Sequence, residues 1–400
     1  MPNPFNPAPG AHPTRIVGRE AELAAAREGA RRAALRQPAT PLVLVGQRGM
    51  GKTVLLSAIR AMGGHDALTV AIESLPDRSL ADRLRDKVDA LLDSAETLPG
   101  RAGNALKRVL NVVPKVSFEL PHDAGAIALG GAGAADDRHL DHDSLVAMLT
   151  ALAQAARLAK QYLTITVDEV QDADVRSMQT LTAFIHESAQ GDAPILLAIA
   201  GLHETRDLID KLRTYVRRWD EYDLEFLTLA ETVEAIREPI VAEGEAIDED
   251  ALYRLAEESG GYPYFIAAFA SAAWAAHRGK RIKIGDVERT IVDVRRRNEM
   301  SFYVRPLAKL TPREMALSLV LADLGPGSHK IGEIARALGR DARDISSIRA
   351  ALARKGIISS PIPGFAEFSI PFTDRFIREH AVDYRDERVL AAHAELVRAR

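Results

Sequence analysis

The sequence predicts an α/β core with a parallel sheet, followed by an α-helical bundle and a C-terminal winged helix-turn-helix. Three observations carry that reading. Short apolar runs alternate with helix-periodic segments as far as residue 200, the pattern of strands covered on both faces. From Ala230 to about residue 357 no strand is apparent. The end of that stretch reads as three short helices, 307–322, 331–338 and 343–355, and two β-like pieces joined by Pro361–Gly364 follow.

The elements follow in order. Five prolines in the first thirteen residues predict an extended, poorly packed arm over 1–14. An alanine- and charge-rich helix runs from about Arg19 to Arg36 and ends before Pro38 and Pro41. Leu42–Val45 is a buried-type strand, the segment from Thr53 a helix, and ALTVAIE (67–73) a second strand. Leu80, Leu84, Val88, Leu91 and Leu92 have helical spacing. Residues 100–137 read as an insert: a hairpin over 115–129 and then GGAGAADD. Leu145, Met148, Leu149 and Leu152 share a helix face ahead of the strand YLTITV (162–167). A helix over 174–189 and a strand over 194–200 complete the core, which extends over 15–229. Helices near 230–242, 248–258, 262–277 and 285–298 make a lid over 230–300. The winged module spans 301–385, and 386–400 is a terminal helix.

Composition excludes several classes. Hydrophobic residues make up 47% and charged residues 27%, as in ordinary globular chains. There is no cysteine, which removes disulfides and thiolate metal sites. No apolar stretch approaches the ~20 residues that span a bilayer, and the N-terminus lacks the pattern of a signal peptide. The expectation is a cytoplasmic protein without a membrane partner. The net charge of −4 is unevenly spread: residues 301–400 carry 16 Lys+Arg against 12 Asp+Glu, a balance of +4. That is compatible with a nucleic-acid partner and too small to require one.

The chemistry is concentrated in two places. Gly46-Gln47-Arg48-Gly49-Met50-Gly51-Lys52-Thr53 fits G-x-x-x-x-G-K-[ST] between a strand and a helix. In that setting the backbone N–H groups of Gly49 to Thr53 surround phosphate at a helix N-terminus. Lys52 reaches the β- and γ-phosphates, and the Thr53 hydroxyl ligates Mg²⁺. The expected ligands are therefore ATP or ADP with Mg²⁺. LTITVDEVQD supplies the acidic half at a strand end: Asp168 for the metal, and Glu169 to orient or deprotonate the attacking water.

These residues resemble the P-loop NTPases of the AAA+ class, specifically the origin-recognition/initiator type and related signalling (STAND) ATPases. The resemblance runs from about Arg15 to Ala381. GQRGMGKT is similar to the Walker A motif and TVDEVQD to Walker B. Ile16-Val17-Gly18-Arg19-Glu20 resembles the box that lies against adenine, which implies nucleotide contacts from Val17, Gly18 and Arg19. It also implies contacts from Val54 after the loop and from Tyr262 and Pro263 in the lid. The proline-rich arm and the lid look most like AAA-family ATP-binding proteins of high-GC bacteria. In TYVRRWDEYDLEFL (214–227) the similarity places Arg218, with Arg217 as the alternative, as an arginine finger acting in a neighbouring subunit. A homo-oligomer is thereby implied. Two departures stand out. Ala200-Gly201-Leu202 occupies the strand end where a polar sensor is expected, leaving only His203 or Thr205 to substitute. Tyr264 stands where the lid often carries arginine, which implies slow, switch-like hydrolysis.

In the C-terminal module, Ile331, Ile334 and Leu338 pack one helix, while Ile345, Ile348 and Leu352 stripe the next. Arg343, Ser346, Ser347, Arg349, Arg354 and Lys355 lie mostly outside that stripe and suit phosphate and major-groove contacts. Double-stranded DNA is the expected partner. The cation-poor wing around Pro361–Phe368 keeps a docked protein partner open, as in a signalling or defence ATPase, and a loader or motor subunit is the third reading. His139, Asp141, His142 and Asp143 read as a solvated lead-in to a helix capped by Asp143 or Ser144 rather than a metal site.

Overall fold

The computed structural model describes residues 2–8, 10–95, 136–189, 195–212, 214–360, 362–385 and 387–398. The hairpin expected at 115–129 lies outside them, as do the side chains of His139, Asp141, His142 and Asp143. The described chain packs into two compact units. One comprises Arg19–Gly46 and Lys52–Tyr222; the other comprises Met1–Gly18, Gln47–Gly51 and Asp223–Arg400.

The first unit is built on strands β1 (Leu42–Val45), β2 (Ala67–Glu73), β3 (Tyr162–Asp168), β4 (Ile195–Gly201) and β5 (Asp220–Asp223), in the order β2-β3-β4-β1-β5. β2 runs parallel to β3, β3 to β4, and β4 to β1, in registers such as Val70↔Ile165 and Leu44↔Ala200. The order and parallel pairing bring two motifs far apart in sequence to the same end of the sheet. β4 lies between β1 and β3, so its C-terminal end separates the strand ends that carry the glycine loop and the acidic pair. Both sheet faces are covered, which is why β1 and β4 are apolar throughout rather than alternating. On one face Val43, Val70, Leu163, Ile165 and Val167 join Leu84, Leu149, Leu152 and Met178 from the helices Leu80–Ala95, Asp136–Leu158 and Val175–Ser188.

Two expectations change here. The helix leading into β3 begins at Asp136, so Asp143 and Ser144 lie within it rather than at its cap, and the GGAGAADD stretch ends in helix. β5, whose sequence Asp-Glu-Tyr-Asp is largely exposed, is an edge strand that hydrophobic periodicity does not reveal.

The second unit opens with four helices, Leu229–Ala242, Glu249–Ser259, Pro263–Ala276 and Ile284–Asn298. Thr228 and Glu231 form a reciprocal capping box, and Gly260 closes the second helix in the left-handed conformation at φ 57°. A two-residue parallel pair, Ala246–Ile247 with Arg281–Ile282, joins the helix connections where no strand was expected. Residues Pro312–Asp323, Ile331–Ala337 and Ser346–Arg354 are helical. Around them His329–Lys330, Ile358–Ser359 and Phe365–Phe368 form an antiparallel sheet with the last strand in the centre. Ile345 and Leu352 are fully buried and fix the third helix of this module, which starts at Ser346 rather than at the expected residue 343. The proline-rich arm is better anchored than its composition predicts: Phe5 is buried, and the Asn3 amide donates to Ser271 Oγ (2.9 Å) and Ser271 O (3.2 Å).

An ion triad ties two of these helices together. Glu258, 8% exposed, accepts from Arg254 one turn earlier in its own helix (2.6 Å) and from Arg295 of the helix Ile284–Asn298 (2.5 Å). Burial alone would raise the carboxyl's pKa; the hydrogen bonds from Arg295 and Arg254 outweigh it and hold the group below its ordinary value. A carboxyl depressed in the folded state stabilises above its unfolded pKa of about 4.3, and that contribution disappears as pH falls through the folded value. Glu258→Gln is expected to cost about 1.5–3 kcal/mol at neutral pH and to make stability less pH-dependent below about pH 5. Urea melts at pH 7 and pH 4 check both.

Candidate nucleotide site

The glycine loop leaves β1 at Val45. Gly46 extends the ladder by one residue, its N–H donating to Gly201 O (3.1 Å). Gly49 and Gly51 then take φ of 79° and 84°, conformations that turn the chain into the helix beginning at Lys52. That helix has no acidic residue in its first turn, so nothing opposes an anion at its N-terminus. Lys52 is buried, its Nζ donating to Gly46 O (2.8 Å). The next residue faces solvent: Thr53 Oγ1 donates to Asp168 Oδ2 (2.6 Å), and Asp168 Oδ1 accepts from the Glu169 N–H (2.9 Å). The glycine loop and the acidic strand end are thereby brought together through Thr53 and Asp168. Hydroxyl and carboxylate oxygens at this separation are the donor set that Mg²⁺ takes. Val54 is half-buried in the same helix.

Glu169 adopts a left-handed conformation (φ 50°, ψ 42°), which is costly for a residue with a β-carbon and concentrated at functional positions. Its carboxylate accepts from Gln171 Nε2 (2.6 Å), and Gln171 Oε1 accepts from the Leu202 N–H beyond β4 (2.9 Å). Behind Asp168, Arg60 donates to Thr166 Oγ1 (2.9 Å); burial lowers its pKa against the opposing pull of Asp168. Neither Gln171 nor Arg60 is conspicuous in the sequence. Glutamine two residues after an acidic pair carries no charge signal, and Arg60 is one of many helical arginines. Of the residues considered as sensor substitutes, Thr205 is fully buried, its hydroxyl without a hydrogen-bond partner among the described residues. His203 lies 3.4 Å from Arg206. Arg217 and Arg218 are exposed at the end of a 3-10 turn preceding β5. Arg19 is buried at the start of the first helix.

Residues Gln47–Gly51 belong to the second unit. Gln47 Nε2 donates to Ser359 Oγ (2.8 Å) and Glu367 Oε1 (3.3 Å), both on the C-terminal antiparallel sheet. Burial, reinforced by the charge of Glu225, raises the pKa of the Glu367 carboxyl. Tyr262 donates its hydroxyl to Arg48 O (2.7 Å), and a β-carbon on Gly49 would lie 2.0 Å from the Tyr262 hydroxyl oxygen. The Tyr262 phenol is pushed well above its ordinary pKa, first by burial and then by Tyr264, so it serves as a neutral donor. Met50 is buried. Gly18 at φ 68° and Gly261 at φ 72° both press on Leu227, where β-carbons would come within 2.6 Å and 2.1 Å of its atoms. Gly18 is thus drawn to the same segment as Tyr262, whose following residue Pro263 starts a helix, and Val17 is buried. Tyr264 packs its ring on Phe302 at 4.9 Å within an aromatic cluster that includes Tyr262 and Phe265.

In the C-terminal module Arg343, Ser346, Ser347 and Arg354 are exposed. Ser346 caps back onto Arg343 O (2.7 Å), and Arg349 reaches Ser360 Oγ at 3.4 Å. Lys355 is engaged internally: its ammonium donates to Glu314 Oε2 (2.6 Å) and Lys309 O (2.9 Å). Among the described residues no cluster of His, Asp and Glu forms a separate metal site, and no helix is long and apolar enough to cross a membrane.

Residues 15–198 match the family described as AAA ATPase domain, and residues 300–377 match a domain of unknown function, DUF8462. No curated protein matches the chain significantly. Among solved structures, the chain is similar to a Walker-type ATPase of Pyrococcus abyssi at 14% identity and TM-score 0.54, covering 94% of this chain and 99% of that one. It also aligns with Cdc6p of Pyrobaculum aerophilum (16%, TM-score 0.46, covering 98% of each chain). The RuvB Holliday junction branch migration motor of Thermotoga maritima aligns at 13% identity and TM-score 0.43, over 91% of this chain and 95% of that one. Together with the strand order and the loop-to-helix geometry, the domain match and the Pyrococcus structure identify the fold as that of a P-loop AAA+ ATPase.

Proposed function

We propose that the protein is a Mg²⁺-dependent ATPase that acts as a nucleotide-controlled switch, with the module over 301–385 serving as a winged helix that binds duplex DNA. The observation that carries the enzymatic part is the 2.6 Å bond between Thr53 and Asp168 with Glu169 next in the chain. Thr53 and Asp168 would hold Mg²⁺, which supplies charge neutralisation at the β- and γ-phosphates. Lys52 would pair with phosphate oxygens, and the Glu169 carboxylate would take the proton of the attacking water. The switch part rests on Gln47, Arg48 and Gly49, which touch Ser359, Glu367 and Tyr262. Phosphate that reshapes this stretch of loop disturbs those bonds. With Tyr264 held among aromatic rings in place of a lid arginine, turnover is expected to stay below ~10 s⁻¹.

The DNA reading rests on the exposed Arg343, Ser346, Ser347 and Arg354 around the third helix of the module. Fluorescence anisotropy with duplex DNA across a salt series tests it. Arg343→Ala with Arg354→Ala is expected to weaken binding and to reduce the salt slope by about 2. Binding that ignores both salt and these substitutions would refute it. One observation favours a docked protein partner instead, as in a STAND-like signalling or defence ATPase: the antiparallel sheet presents Glu367 to Gln47, and Lys355 is already paired. A trans-acting Arg218, and with it a homo-oligomer or a loader or motor assembly, predicts larger particles with a slow ATP analogue than with ADP. Size measurement in both nucleotides, with and without duplex, separates these.

A further inference from the structure

The end of β4 lacks the polar side chain expected there, yet the space is not apolar. A β-carbon on Gly201 would lie 2.6 Å from Gln171 Oε1 and 2.2 Å from Thr205 Oγ1. Any other residue at 201 would therefore exclude the Gln171 amide, which enters from the loop after the neighbouring strand. The orientation of that amide is fixed by chemistry. The Leu202 N–H can only donate, so it must face Oε1; the carboxylates of Glu169 (2.6 Å) and Asp172 (3.3 Å) accept, so they must face Nε2. One neutral side chain thus ties the Glu169 carboxylate to the C-terminal end of β4. Glu169 needs such a tie, because its left-handed backbone conformation is intrinsically unfavourable and has to be held by its surroundings.

We propose that Gln171 is the positioning residue for Glu169, taking from the adjacent loop the place of the polar group that β4 does not carry. This rests on the reading of Glu169 as the group that activates water. Through Gln171, a shift at the end of β4 moves the carboxylate that faces the nucleotide, so the strand and the base respond together. Gln171 does not itself handle a proton, and its loss is expected to affect the chemical step and not nucleotide capture.

Gln171→Glu is the discriminating variant. It preserves size and the acceptor for Leu202 N–H while replacing the donor to Glu169 with a like charge. Gln171→Leu removes both arms. Phosphate release should fall about 10–100-fold in Gln171→Glu, the scale of a misplaced catalytic group, with KM and the affinity for a fluorescent ATP analogue each within about threefold of wild type. A purely structural tie predicts the reverse pattern, with Gln171→Glu near wild-type turnover and Gln171→Leu impaired and lower-melting. A second readout needs no turnover: in the nucleotide-free protein the Gln171 side-chain amide proton should shift upfield in Glu169→Ala. Wild type and Glu169→Gln are measured alongside. If wild type does not hydrolyse ATP, or Glu169→Gln turns over normally, the ATPase reading fails and this proposal falls with it. If Glu169→Gln is inactive while Gln171→Glu keeps the wild-type rate, or if the amide proton does not move, only the positioning role is overturned.

Discussion

Glu169→Gln is expected to lower ATP turnover by about 10²–10⁴-fold, the contribution typical of a general base, while leaving ATP affinity nearly unchanged. The substitution preserves size and can still accept the hydrogen bond from Gln171 Nε2 through its carbonyl oxygen. Glutamine tolerates the left-handed backbone no worse than glutamate, so the local turn over Val170–Asp172 has no new reason to rearrange. The Thr53–Asp168 pair, where Mg²⁺ would sit, does not involve the Glu169 side chain. Only the capacity to take a proton is removed. A loss in kcat and kcat/KM by the same factor is the signature of an interaction made in the transition state alone. Single-turnover phosphate release together with equilibrium titration of a fluorescent analogue reads both quantities. A loss below about tenfold would move the base to another group.

The elements that could be read from the sequence are those whose identity is set by local rules. The glycine loop needs residues that accept φ near 80°, and the strands of a doubly covered sheet must be apolar along their length. Both requirements leave marks on the sequence. Asp168 and Glu169 were visible because an acidic pair ends such a strand. Interactions between segments far apart in the chain left no such mark. Gln171 gains its significance only because Gly201, thirty residues later, makes room for its amide. Gln47 looks like an arbitrary x in a glycine-rich pattern until Ser359 is seen 2.8 Å away. β5 is hidden for a different reason: at the sheet edge, Asp220, Glu221 and Asp223 are exposed, so burial imposes no apolar pattern on them. The N-terminal arm misleads in the opposite sense. Its prolines suggest a loose tail, and one buried phenylalanine with one asparagine amide suffices to seat it.

Lys52→Ala should abolish nucleotide binding at concentrations that saturate wild type, weakening affinity by at least about 100-fold if two charge-assisted bonds to phosphate are lost at 1.5–3 kcal/mol each. Lys52→Arg is not expected to rescue it. The lysine is only 5% exposed, and its ammonium sits within hydrogen-bond reach of Gly46 O at 2.8 Å. A planar guanidinium is bulkier and cannot occupy that point without displacing the loop. In the nucleotide-free protein Lys52→Ala removes the hydrogen bond to Gly46 O, worth about 1.5–3 kcal/mol, and the fold itself should persist. Thermal melts with and without ATP separate the two effects. Wild type should gain about 2.7 kcal/mol of stability at a ligand concentration of 100 times Kd, and Lys52→Ala should gain nothing at the same concentration. Stabilisation of Lys52→Ala by ATP equal to that of wild type would mean that the phosphates are held elsewhere, and the assignment of the glycine loop would have to be abandoned.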